Sequence, residues 1–208
     1  MPRINLERLI KILGQIAEIL RSSPEVALEE LRMISDMIDS QIPYRDGHSR
    51  RVADYAIKTG RKLGLTDEEI VALETAALLH DFGKIGVEDN ILDKPASLID
   101  AEKAEVEKHV LRGYYMLAGF IELGDALKGI KTHHEHYNGL GYPQGLTDGY
   151  IPLIGRIIAV ADAYDAMTSD RPYRKAKTKE QAIDELKKFA GQQFDPHIVD
   201  VFLDIIKS

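Results

Sequence analysis

The 208 residues include 44% hydrophobic side chains, enough to bury one core, and 27 Lys and Arg against 34 Asp and Glu leave a net charge of −7, which works against broad counterion-releasing binding to duplex nucleic acid. The absence of cysteine excludes disulfides, thiolate zinc sites and iron–sulfur clusters. The opening MPRINLERLIKILGQ has no leader-type cleavage pattern and no window approaches ~18 uninterrupted apolar residues, so the expectation is a cytoplasmic protein without a membrane span.

Nearly every segment has helical period, and no run alternates long enough to argue a strand. Leu9, Ile12, Leu13, Ile16, Ile19 and Leu20 form the stripe of a first helix. Two caps compete at its end: Ser22 with Glu25 as a capping box, or Ser23 with Pro24 at the first helical position. The second helix carries Val26, Leu28, Leu31, Ile34, Met37 and Ile38 and stops near Pro43. A helix over 47–63 follows, then one capped by Thr66 and Glu69 that ends at ALLHDFGK. Helical stripes return over 101–118 and 121–134, a glycine-rich loop follows, and Ile151-Pro152 opens an apolar helix through Met167. TKEQAIDELKKFA and DPHIVDVFLDIIK are two closing helices. The expected fold is all-α, with residues 1–41 as a helical hairpin or dimerisation arm and residues 42–208 as the main domain. The stripes of that hairpin hold none of the chemistry-bearing residues, and the alternative is that it packs on the main bundle.

His48, His80, His109, His133 and His134 each sit on or beside a predicted helix among apolar neighbours. Buried imidazoles need partners for their ring nitrogens, and metal ions would supply them. Asp81 follows His80 directly, and Asp162 shares a face with Asp165 on the apolar helix RIIAVADAYDAMTSD. His48, His80, Asp81, His109, His133, His134 and Asp162 are therefore candidate metal ligands. Nitrogen and oxygen donors without sulfur suit Fe, Mn, Ni, Co or Zn. So many ligands exceed what one ion with open positions takes, whereas two ions ~3.5–4 Å apart sharing a carboxylate would use them, and such pairs serve phosphoester chemistry. Lys84, Arg171 and Arg174 are candidate cations for phosphate oxygens. In the loop NGLGYPQG the glycines admit a ligand close to the backbone, and Tyr142 offers a ring and a hydroxyl.

HSRR (48–51), Glu74, HDFGK (80–84), His109, HHEHYNGLGYP (133–143) and DAYDAMTSDRPYR (162–174) occur in the order in which the HD-GYP domain carries such blocks, and over 44–205 the chain resembles that family. The resemblance implies an HD-superfamily helical bundle with a two- or three-metal site, often of iron or manganese, that hydrolyses cyclic di-GMP to linear pGpG and in some members onward to GMP. It makes His48, His80, Asp81 and Asp162 ligands of one metal and Asp81 the bridge to a second, completed by His109, His133 and His134. A metal-bridging hydroxide would attack phosphorus, with Asp81 and Lys84 as the catalytic residues. Lys84, Tyr142, Arg171 and Arg174 match substrate-contacting positions. Glu135 and Asp165 look like groups that orient ligating imidazoles, and Glu74 like a structural partner of Arg51.

Three positions depart from the family pattern. Tyr44 stands where members with a third metal have glutamate, which predicts two metals here; Asn138 replaces an aspartate; and Val110 follows His109 where proline is common, which should shift a helix boundary. The alternatives are a phosphohydrolase acting on another cyclic dinucleotide or a nucleotide, and a weakly active cyclic di-GMP-binding signalling module. Two apolar stripes at the start of the chain predict a homodimer through the N-terminal helices.

Overall fold

The computed structural model describes residues 5–42, 46–94, 96–170 and 175–207. Among them there is no strand, only two isolated bridges, and the fold is all-α as expected. Helices α1 (Leu6–Ile19) and α2 (Pro24–Asp39) form a hairpin. Of the two competing caps, Ser23 with Pro24 at the first helical position starts α2; Ser22 Oγ instead donates to the Ile19 carbonyl at 3.3 Å, so the box with Glu25 does not form. Proline has no N–H to leave unsatisfied there and its φ is already helical.

Helix α3 (His48–Lys62) is followed by α4 (Asp67–Leu79), which opens on the predicted capping box: Glu69 N–H donates to Thr66 Oγ1 at 3.3 Å and Thr66 N–H to Glu69 Oε2 at 2.8 Å. α4 buries every residue from Leu73 to Leu79, Glu74 and Thr75 among them, so it is enclosed on all sides there and sits at the centre of the bundle. A 3-10 turn (Phe82–Gly86) and the short α5 (Asp89–Leu92) lead away from it.

The helix expected over 101–118 is two: α6 (Asp100–Glu107), with no buried residue, and α7 (His109–Leu117), which buries His109, Val110, Gly113 and Leu117. The helix is interrupted at Lys108, and α7 docks on the 3-10 turn, where a Cβ on Gly83 would lie 2.0 Å from the His109 carbonyl oxygen and 2.5 Å from Gly113 N. Only glycine permits that approach. The helix expected over 121–134 is also interrupted, since the 3-10 turn Ile121–Leu123 ends at Gly124 with φ 48° before α8 (Ala126–Thr132) begins. Helices α9 (Leu153–Thr168), α10 (Lys179–Phe189) and α11 (Pro196–Lys207) complete the chain.

α3 lies along α4 and α9, α8 along the other side of the same two helices, and α7 joins α8 to the 82–86 turn. α10 and α11 back α9, and α2 packs on α3 and α4. One buried cluster runs from Leu9, Leu13 and Ile16 through α4 to Phe202 and Ile206, so the inner face of the hairpin joins the main core. Each large aliphatic side chain buried there contributes about 1.5–3 kcal/mol. The outer face of α2 leaves Val26 56%, Met33 60% and Met37 40% exposed. No described helix is long and apolar enough to cross a membrane.

Candidate metal centre

Helix ends deliver most of the predicted ligands. His48 is the first residue of α3, His80 caps α4 with Asp81 next to it, His109 opens α7, and His133 caps α8 with His134 next; Asp162 lies within α9. The fold brings all of them together as two adjoining groups: His48, His80 and Asp162, and Asp81, His109, His133 and His134, the ligand atoms within each lying within 4.8 Å of one another. Asp81 stands between them, with Oδ2 at 3.4 Å from His80 Nε2 and 3.8 Å from His48 Nε2, and Oδ1 at 3.2 Å from His109 Nε2. His48 Nε2 is also 3.3 Å from Asp162 Oδ1.

The rings are oriented through their other nitrogen. His80 Nδ1 lies 2.7 Å from the Ala77 carbonyl oxygen, His109 Nδ1 2.6 Å from that of Val106, and His133 Nδ1 2.9 Å from that of Ile130. A carbonyl can only accept, so in each case Nδ1 carries the proton and Nε2 presents a lone pair to the centre. His48 differs: its Nδ1 lies 2.7 Å from Asp165 Oδ2, and Arg51 grips the same carboxylate through Nε at 2.5 Å and Nη2 at 3.1 Å. Hydrogen bonding to Asp165 raises the Arg51 pKa. Burial alone would raise the Asp165 carboxyl, but the hydrogen bonds from His48 and Arg51 hold it below its ordinary value.

The protonation states suit a cation. Burial pushes His80 and His134 well below the ordinary imidazole value and His133 to about 3, so these rings are neutral donors near pH 7. Burial would raise Asp162, yet His48 and the other imidazoles hold it well below the usual carboxylate range. His80 Nε2, His133 Nε2 and Asp162 Oδ1 are buried without a hydrogen-bond partner among the described residues. Leaving such groups unsatisfied costs about 1–3 kcal/mol each, and a set of imidazole nitrogens and carboxylate oxygens converging within ligand reach fits divalent metal.

A cavity of about 570 Å³ opens over the cluster, with His48, Lys84, His109, His134, Tyr142 and Asp162 in its wall. Lys84 is buried and its Nζ donates to Asp81 Oδ2 at 2.6 Å. Tyr142 stacks on His134 with ring centroids 4.8 Å apart and planes at 27°, and burial raises its phenol pKa. The loop is held from below: Glu135 accepts Gln144 N–H at 2.7 Å and Leu146 N–H at 3.0 Å. Glu135 thus orders the loop backbone, whereas the sequence pointed to it as an orienter of an imidazole; the ring-orienting carboxylate among these is Asp165. A Cβ on Gly141 would lie 2.2 Å from His136 N, so glycine is required where the loop folds back. Asn138 Oδ1 accepts Leu140 N–H at 3.1 Å, a turn an amide closes as well as a carboxylate.

Three further expectations are corrected or lie outside the described residues. Glu74 does not pair with Arg51: it accepts from Arg32 Nη2 at 2.5 Å, tying α4 to α2, and Arg51 goes to Asp165. Arg171, Arg174 and Tyr44 lie outside the described residues. Sequence reasoning missed the Arg51 fork and the buried Asp39, whose signals, an arginine three residues after His48 and a carboxylate on an apolar stripe, are too common to single out.

Residues 32–198 match the family model described as HD domain. The chain belongs to the HD domain family. Its His80-Asp81 pair and Gly141-Tyr142-Pro143 are those of the HD-GYP type. Among curated HD relatives, the chain is 41% identical over 193 residues to a cyclic di-GMP phosphodiesterase response regulator of Xanthomonas campestris pv. campestris, covering 89% of this chain and 50% of the relative. It is 38% identical over 160 residues to a 3'3'-cGAMP-specific phosphodiesterase of Vibrio cholerae, covering 77% and 35%. The chain thus spans about half or less of these relatives' length. The fold is similar to that of an HDG"Y"P protein from Bdellovibrio bacteriovorus, with a TM-score of 0.68 at 20% identity over 98% of this chain and 72% of that one.

Proposed function

We propose that this HD domain hydrolyses cyclic di-GMP to linear pGpG, with GMP as a further product, at a centre of two divalent transition-metal ions, iron or manganese foremost and nickel, cobalt or zinc as alternatives. The observation that carries the reading is that Asp81 has Oδ2 near His80 and Oδ1 near His109, one oxygen toward each of two adjoining ligand groups, beneath a cavity of about 570 Å³. His48, His80, Asp81 and Asp162 would hold one ion, and Asp81, His109, His133 and His134 the other. Such a pair, when bound, polarises phosphoryl oxygens and lowers the pKa of water.

The chain's own residues do the rest. The imidazoles of His80, His109 and His133 keep their Nε2 lone pairs for the ions because Nδ1 is committed to carbonyls, and Asp165 orients the His48 ring through Nδ1. Lys84, held beside Asp81 at the cavity wall, places positive charge where a phosphoryl oxygen gathers charge in the transition state. Tyr142 lends a ring face for a base or a hydroxyl for a phosphate, and Arg171 and Arg174 are proposed as further phosphate contacts. The Vibrio relative's name favours one second reading, a mixed guanine–adenine cyclic dinucleotide as substrate.

Metal-loaded protein should convert cyclic di-GMP to the linear product with about two ions counted per chain, read by chromatography and metal analysis on one sample. Faster turnover of 3'3'-cGAMP would move the assignment to the second reading; tight binding with no turnover of either would make the domain a binding module. Lys84→Ala should keep both ions and lose about 10²-fold in rate. We also propose a homodimer through the outer face of α2, supported by exposed Val26, Met33 and Met37 spaced along one side; light scattering on Met33→Lys should show a shift to monomer.

A further inference from the structure

α3 begins without a cap of its own. Gly47 occupies the N-cap position with φ 65° and supplies no side-chain hydrogen bond, although the first residue of the helix is His48. The first-turn amides of a helix have no partner within the helix and must find one elsewhere. Here a different helix provides it. Asp39, the last residue of α2 and fully buried, accepts Ser49 N–H on Oδ2 at 2.7 Å and the Ser49 hydroxyl on Oδ1 at 3.0 Å.

Asp39 is the innermost of three polar side chains on one face of α2. Arg32 reaches Glu74 of α4 at 2.5 Å, Asp36 receives Arg50 Nε of α3 at 2.7 Å and 2.8 Å, and Asp39 holds Ser49. Positions 32, 36 and 39 follow helical spacing. The Arg50–Asp36 pair is part-exposed, 35% and 44%, and contributes little by itself. The Asp39 contact is buried on both sides, and it fixes the backbone adjoining His48.

We infer that Asp39 is a positioning residue for His48: by capping α3 from α2 it sets the backbone from which the His48 ring reaches Asp162 and Asp81. The inference rests on the metal-centre reading above. Among the restraints on the ring are Asp165 on Nδ1 and Asp39 through the Ser49 backbone. With Asp39 truncated, Asp165 still orients the ring but the helix end that carries it is loosened. The loss should therefore fall on the ion held by His48, His80 and Asp162 and spare the other.

The test is cobalt(II) titration of metal-free protein, read by visible absorption against a chromophoric chelator, with circular dichroism as the control for folding. Wild type should take up two ions. Asp39→Ala should weaken one of them about tenfold and leave the other unchanged. Asp39→Asn should recover most of that loss, because its carbonyl oxygen accepts Ser49 N–H and its amide donates to the Ser49 hydroxyl. Asp36→Ala, which removes a clamp on the same helix face but leaves Ser49 alone, should bind both ions as wild type does. Wild-type binding by Asp39→Ala, no recovery in Asp39→Asn, or an equal loss in Asp36→Ala each overturns the inference. Should Asp39→Ala not fold, Ser49→Ala, lacking only the hydroxyl bond, must still weaken the same ion about threefold; unchanged affinity there also overturns it. A wild-type protein that takes up fewer than two ions defeats the metal-centre reading instead.

Discussion

The two halves of the centre differ in how far the support of their rings reaches. His109 and His133, in one group, and His80, in the other, are aimed by carbonyls three residues earlier in their own chain segments, so their aim is set by local helix geometry. His48, in the same group as His80, depends on Asp165, 117 residues away in sequence, on the Arg51 fork that holds Asp165, and on Asp39 of α2. The first arrangement tolerates movement between helices, because ring and acceptor move together. The second is only as good as the packing of α2, α3 and α9, which makes it the half that a shift of the N-terminal hairpin would reach.

The largest expected effect comes from removing the residue proposed to serve both halves. Asp81→Ala should lose both ions and reduce hydrolysis to background; metal analysis and turnover check this, and a variant that kept either ion firmly would show that the carboxylate is not common to both. Gly83→Ala comes next and acts on the locally built half through packing. A Cβ at 2.0 Å from the His109 carbonyl oxygen must push α7 away, so we expect destabilisation of about 3 kcal/mol, measured by urea unfolding, with the ion bound by His109 lost first. Asp165→Ala should act on the other half alone, weakening one ion about 10–100-fold while the second titrates as in wild type; equal weakening of both would erase the distinction.

The smallest effect is on pH dependence. In metal-free protein His80 and His133 stay neutral when folded because burial lowers their pKa values, His133 to about 3, whereas in the unfolded chain they protonate near ~6.5. The unfolded state thus binds more protons below that pH, and stability should fall as pH drops from ~6.5, by up to about 1.4 kcal/mol per pH unit for each imidazole. Asp162 and Asp165, with lowered pKa values, act in the same direction at lower pH: their contribution is complete above ~3.8 and is lost only below it. Urea midpoints at pH 7.5 and 5.0 would differ accordingly, and bound metal should raise both without removing the slope, because the rings are unprotonated in the folded state either way.

Sequence alone determined what is periodic or chemically expensive. Apolar spacing yields the helices, Thr66 with Glu69 marks the start of α4, and imidazoles and carboxylates among apolar neighbours mark the residues that converge, because burying them without partners is costly. Tertiary structure decided where a helical stripe is interrupted, as at Lys108 and Gly124, and which of several equivalent partners each charge takes. Arg51 chooses Asp165 over Glu74, Glu135 serves the loop rather than a ring, and Asp39 caps a helix not its own. Spacing reports which face of an element is buried, but the identity of a hydrogen-bond partner depends on distances between elements far apart in the chain, and those exist only once the core has closed.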